Sequence, residues 1–274
     1  FDIRKVHIEN LAFSMKNFRS GMTVTKGGGI DWKDLEVTDI NIEARRIKLS
    51  DRVMSGTLDN MSFKEKSGFV CRSLSGSTSV GHGICKISDV RIKDSSSDLN
   101  IPSFDMLYTG TEDFKDFVNK IRINATLKSS ILDQATLSYF VPGLERKTFR
   151  VSIQETVAHG TVSDLRINKF IAAALDEQIG ISIDGTLKGL PETGLLSTDL
   201  KIRELKFNTE AAESLLKNFA KNNPPLISRY APGEQLIFSG KVQGPLKSIK
   251  TEGSLISNIG KATAKLKISG LGIK

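Results

Sequence analysis

The sequence predicts a mainly β protein: an elongated, curved sheet of repeated, antiparallel-leaning strands with an apolar concave face, accompanied by two short helices. Three observations lead there. Apolar and polar residues alternate with period two over many short stretches, the pattern of strands that bury one face and wet the other. Turn-forming residues interrupt the alternation about every ten positions, as in all-β chains. Strand units also recur as similar modules, a regularity that a closed barrel does not require and a stacked, extending sheet does.

Taken in order, residues 1–110 read as an N-terminal β segment. In it Leu35-Glu36-Val37-Thr38-Asp39-Ile40-Asn41-Ile42 resembles Ile87-Ser88-Asp89-Val90-Arg91-Ile92, and turns are marked at Gly27 to Gly29, Ser75-Gly76, Gly81 to Gly83 and Asp94 to Asp98. Residues 111–120 form the first helix, with Thr111 as cap, Glu112 and Asp113 in the first turn, and Phe114, Phe117 and Val118 on one face. The middle segment, 121–207, returns to alternation. Ile121, Ile123, Ala125 and Leu127 oppose Arg122, Asn124, Thr126 and Lys128, and Ile181, Ile183 and Leu187 oppose Ser182, Asp184, Thr186 and Lys188. Turns fall at Pro142-Gly143, Asp176 to Gly180 and Gly189 to Gly194. Residues 208–223 hold the second helix, Thr209 to Lys221, with Leu215, Leu216 and Phe219 apolar and Asn222 to Pro225 ending it. The last segment, 224–274, sets Leu236, Phe238, Gly240 and Val242 against Ile237, Ser239 and Lys241, then Ala262, Ala264, Leu266 and Ile268 against Thr263, Lys265, Lys267 and Ser269. The helices read as plugs on sheet edges, and the three β segments as one continuous sheet.

The clearest repeat aligns Ile183-Asp184-Gly185-Thr186-Leu187-Lys188-Gly189 with Phe238-Ser239-Gly240-Lys241-Val242-Gln243-Gly244, an offset of 55 positions. Val157 to Leu165 echoes it more weakly. Gly and Ala often take the inward positions (Ala125, Gly185, Gly240, Gly253, Ala262 and Ala264), which thins the packing expected of two interlocking sheets. A long sheet with an apolar inner face and no place to close is a groove able to hold acyl chains.

Composition removes whole classes of function. With 274 residues, 39% of them hydrophobic and 26% charged, the chain is neither disordered nor disulfide-dense. The apolar run Phe170 to Leu175 is far short of the roughly 18 residues of a membrane-spanning helix. Phe1 is preceded by neither Met nor an apolar leader, the mark of an excised piece or a mature product. Cys71 and Cys85 form no CxxC; they are either a disulfide or two buried thiols, depending on compartment. The histidines His7, His82 and His159 have no ligand spacing. Gly76 to Gly81 lacks the Lys of a phosphate loop, and no Gly-x-Ser-x-Gly elbow is present. Asp105, Glu112, Asp113 and Asp116 read as a charged helix start rather than a catalytic pair. No enzyme, metal or cofactor is expected. Seven lysines against the single Glu252 lie between Gln235 and Lys274. They serve either to keep wet strands from aggregating or to attract anionic headgroups or an acidic partner.

Ile181 to Leu205, Gln235 to Gly270, Ile30 to Leu49, Ile87 to Ile101 and Leu127 to Pro142 together resemble the repeat region of the TamB family, in the AsmA-like superfamily, and specifically its Bacteroidetes-type members. The resemblance implies a taco-like β-sheet crossing the periplasm from an inner-membrane anchor of a Gram-negative envelope, of which this chain would be an internal or anchor-deleted fragment. It further implies transport of phospholipids toward the outer membrane and, in the full-length chain, a TamA or BamA-like outer-membrane partner.

The leading expectation is therefore a lipid conduit without catalysis, its groove wall formed by Ile181, Ile183, Leu187, Leu200, Ile202, Leu236, Phe238, Val242, Leu255, Leu266 and Ile268. Phospholipid acyl chains would bind by burial of apolar area alone. The alternative is a scaffold that templates strands of outer-membrane β-barrel proteins by edge pairing. Nucleic acid is not an expected partner.

Overall fold

The structure is a computed structural model and describes residues 1–16, 29–31, 34–140, 144–145, 148–174, 177–192, 194–219 and 232–269. Six strands come first: β1 Asp2–Lys16, β2 Asp34–Ser50, β3 Val53–Glu65, β4 Val70–Gly81, β5 Ile84–Lys93 and β6 Asp98–Leu107. A 3-10 turn, Thr111–Asp116, runs into helix α1, Phe117–Lys120. Then follow β7 Arg122–Asp133, helix α2 Gln134–Ser138, β8 Arg150–Gly160, β9 Asp164–Ala174, β10 Ile179–Lys188 and β11 Ser197–Asn208. Helix α3, Thr209–Phe219, precedes β12 Gln235–Pro245, β13 Ser248–Ser257 and β14 Gly260–Ser269. The strands lie in one sheet in chain order from β1 to β14, antiparallel in register wherever two neighbours are matched residue by residue. The mainly β sheet read from the alternation is thus the fold.

Alternation is interrupted by bulges, and the sequence carries their signature. Asn10, Asp39, Arg46 and Asp89 have φ of 55, 52, 53 and 55°, and each sits where one strand inserts a residue against its neighbour. Asn and Asp tolerate this left-handed backbone because their short polar side chains bond locally. The two similar N-terminal modules are therefore one bulge used twice: Asp39 and Asp89 turn the chain, and the next residue, Ile40 or Val90, is 5% or 7% exposed.

The chain divides into two compact units. In the first, Phe1–Phe104 with Lys128–Arg150, a small core of Ile30, Phe69 and Cys71 is packed by Leu35, Phe63, Leu74 and Tyr139. Tyr139 meets Phe69 edge-on at 5.4 Å. A third short helix, α2, is an addition to the two expected. Asp133 caps it by accepting from the Ala135 N–H at 2.9 Å, and a buried network anchors it: the Asp94 carboxylate accepts from the Ser96 and Ser97 N–H groups at 2.6 and 2.7 Å and from the Thr136 hydroxyl at 2.6 Å. Cys71 stands opposite Phe63 and Cys85 opposite Val80, toward the two ends of the β4–β5 hairpin. That separation excludes the disulfide alternative; both are free, buried thiols, and burial pushes the Cys71 thiol up from its ordinary value.

In the second unit, Asp105–Leu127 with Val151–Lys274, the buried apolar residues are Ile121, Ile153, Ala158, Ile167, Ala172, Ile179, Ala211 and Leu236. The helical start at Thr111 is held otherwise than expected: Asp113 reaches back to accept from the Thr109 hydroxyl and N–H, both at 2.7 Å. At α3 the Asn208 side chain accepts from the Glu210 and Ala211 N–H groups, and the Glu210 carboxylate, taking the Gly233 N–H at 2.6 Å, is held below the usual carboxylate range. The side chains of Leu215, Leu216 and Phe219 and the expected helix end at Asn222 to Pro225 lie outside the described residues, as do the expected turn positions Gly27, Gly28, Pro142, Gly143 and Asp176.

Candidate functional site

Directly opposed residues of an antiparallel pair share a face, so the registers show which side chains stand together. In the second unit one row runs Ile153, Ala172, Ile181, Leu205, Phe238, Leu255 and Ala262. The next runs Ile183, Ile202, Gly240, Gly253 and Ala264, and a third runs Ile167, Gly185, Leu200, Val242, Thr251 and Leu266. Leu187 pairs with Leu165, Leu236 with Phe207, and Ile268 with Ile249. The ten expected wall residues whose side chains are described occupy these apolar rows and pairs. The odd spacing from Ile202 to Leu205 is absorbed by a bulge on β11.

Their exposure varies. Leu236 is buried, Leu266 is 56% exposed, and the other described members are half-buried; the side chain of Ile268 lies outside the described residues. The small residues have a local cause. A Cβ at Gly185, where φ is +143°, would come within 2.1 Å of the Asp199 carbonyl oxygen, and one at Gly253 within 2.3 Å of the Ser239 carbonyl oxygen and 2.7 Å of the Phe238 ring. Strands approach too closely at Gly185 for any side chain, and the Phe238 ring covers Gly253, which narrows this part of the face.

An apolar hollow lies in the first unit. A groove of about 590 Å³ opens on β2 to β6, its surface almost wholly apolar and formed by Ile47, Leu58, Leu74, Ile87, Val90 and Phe104 among others. Leu74 opposed to Ile92, and Ala44, Leu58 and Gly76 opposed in one row, form part of its floor. Leu49 and Met54, opposed in register, are 44% and 48% exposed, and along β1 Leu11, Phe13 and Met15 are also exposed. Period-two reading misses this groove because the bulges at Arg46 and Asp89 change the spacing to three. At Asp89 the signal is an Asp inside a strand followed directly by an aliphatic residue; Arg46 carries no such mark.

Nothing in the groove is titratable. A ligand there would be held by burial of apolar surface, at roughly 25 cal/mol per Å². A second hollow, of about 340 Å³, is polar and lies in the second unit around Gly185, with Arg166, Thr186, Asp199, Lys201 and Lys241 on its walls. Among the described residues no cluster of three or more His, Cys, Asp or Glu is placed to hold a metal, and no helix is long and apolar enough to cross a membrane. Comparison with protein-family models, with curated proteins and with solved structures gives no match for the chain.

Proposed function

We propose that the chain is a segment of a lipid-transfer protein that carries phospholipid acyl chains on the apolar face of its sheet, in the manner expected of TamB-like proteins bridging the inner and outer membranes across the periplasm. The observation that carries this reading is the groove of the first unit: about 590 Å³ with an almost wholly apolar surface. At about 30 Å³ for each water, a volume of that order takes some twenty small heavy atoms, the size of one acyl chain and not of a whole lipid. Exposed Met54 and Leu49 beside it and the apolar rows of the second unit supply further surface of the same chemistry. A uniform apolar face offers sliding rather than a fixed pose, because burial has no direction.

The test is mass spectrometry of organic extracts from the purified chain. Met54→Asp, at an already exposed position, keeps the fold and is expected to lower co-purifying phospholipid at least threefold; Phe238→Asp with Leu266→Asp tests the second unit in the same way. A folded wild-type chain with phospholipid at the level of a control protein would refute the reading. A groove variant that keeps its lipid, while Ile8→Pro in β1 abolishes assembly of a β-barrel client, would move it to strand templating.

A further inference from the structure

The polar face of the second unit carries a charge arrangement that the apolar face does not explain. One row runs Asp184, Lys201, Lys241, Glu252 and Lys265; the adjacent one runs His159, Arg166, Thr186, Asp199, Gln243, Lys250 and Lys267. Lys201 stands directly opposite Lys241, and Lys250 directly opposite Lys267. Like charges opposed across a sheet destabilise it.

The nearby acids do not relieve them. Asp184, opposite Lys201, is taken by the Arg203 Nε at 2.6 Å. Asp199 accepts from the Gln243 side chain at 2.9 Å, and Glu252 pairs with Lys265 at 2.9 Å. Among the described residues Lys201, Lys241, Lys250 and Lys267 are left exposed and without an acidic partner.

Protection of an open edge accounts for lysines on β14, the last strand of the sheet. It does not account for Lys201 on β11 or Lys241 on β12, which are interior strands with both neighbours in place. The residue type is informative too. Lysines are point charges on flexible stems, suited to a diffuse field of anions rather than to a single fixed carboxylate or phosphate. Neither row holds a Phe, Tyr or Trp, and the single imidazole, His159, stands at the far end from the lysines, so the row of aromatic platforms that a nucleic-acid surface uses is lacking.

From this we infer that the polar face of β11 to β14 docks on the headgroups of an anionic lipid bilayer, with Lys201, Lys241, Lys250 and Lys267 as the contact charges. Adjacent strands lie about 4.8 Å apart, so the opposed lysines rise from neighbouring backbone positions. A negative surface supplies the counter-charge that the chain itself withholds, and its attraction falls away as salt shortens the screening length. The inference is independent of acyl-chain binding, which uses the opposite face and is insensitive to salt.

Vesicle flotation tests it, with phosphatidylcholine alone and with added phosphatidylglycerol, at low and high salt. The wild-type chain should float only with the anionic vesicles and only at low salt. Lys201→Gln with Lys241→Gln, and separately Lys250→Gln with Lys267→Gln, should each weaken partitioning by about 25-fold, at roughly fivefold per lysine. The control, Lys5→Gln with Lys86→Gln, removes the same charge from the first unit and should bind as wild type. Neither patch variant should lose thermal stability, since each removes a repulsion. Equal loss in the control, equal flotation with phosphatidylcholine alone, or retained flotation in the folded patch variants would overturn the proposal. Salt-sensitive binding of poly-glutamate or single-stranded DNA without binding to anionic vesicles would also overturn it.

Discussion

Asp89 shows how a single residue sets the face of a strand. Its left-handed backbone, with φ of 55°, inserts one residue into β5 and returns Val90 to the apolar side. The requirement is conformational, since glycine adopts this region freely and a β-branched residue does not. Asp89→Gly should therefore leave the urea midpoint near that of the wild type, whereas Asp89→Val should cost about 1–3 kcal/mol. Equal midpoints for the two variants would show that the bulge relaxes away. Residues also explain what sequence reading could see. The apolar rows of the second unit were legible because β10 and β12 to β14 keep strict alternation across Ile181, Phe238 and Leu266. The first-unit groove was not, because there the apolar residues stand three apart at each bulge, which breaks the period of two that marks a strand.

Short helical elements are held by side chains that reach backward along the chain. Asp113 takes bonds from the Thr109 hydroxyl and backbone, which hold its carboxyl below the usual carboxylate range. A depressed folded value fixes the sign: the contribution of Asp113 is complete above the ordinary value of 3.8 and is lost as pH falls through the lower folded value. The protection of the Thr109 and Gly110 amides, relative to the intrinsic exchange rate at each pH, should consequently fall as the Asp113 carboxyl protonates, and Asp113→Asn should remove that pH dependence. Protection in Asp113→Asn that still falls with acid would assign the effect to another group. Helix α2 escaped the sequence reading for the opposite reason. Five residues long, it has no periodicity to detect, and what stabilises it is the distant Asp94 through the Thr136 hydroxyl.

At the scale of the molecule, each strand is hydrogen-bonded only to strands adjacent in the chain, and the two compact units have separate buried residues. Stability in such arrays is a sum of local terms. Asp94→Ala removes the acceptor of three bonds, two of them buried, and is expected to cost about 3 kcal/mol at about 1 kcal/mol for each bond. By hydrogen exchange this loss should appear in α2 and the neighbouring strands of the first unit and leave β10 to β13 at wild-type protection. Uniform deprotection across both units would show that the chain unfolds as a single body. The strand order was foreseeable from the modular repeats; the division into two units was not, because no composition shift marks Phe104 or Arg150.

The chain-order topology also governs how the sheet can be built. A strand emerging from a ribosome or a translocation pore finds the preceding strand already in place to pair with, so assembly can proceed by accretion at one moving border. No strand waits for a later one to be inserted beside it, and removing β14, or β14 with β13, exposes a new border without stranding any interior segment. Length is then an adjustable property of this architecture: the same local rules that seat one hairpin seat the next.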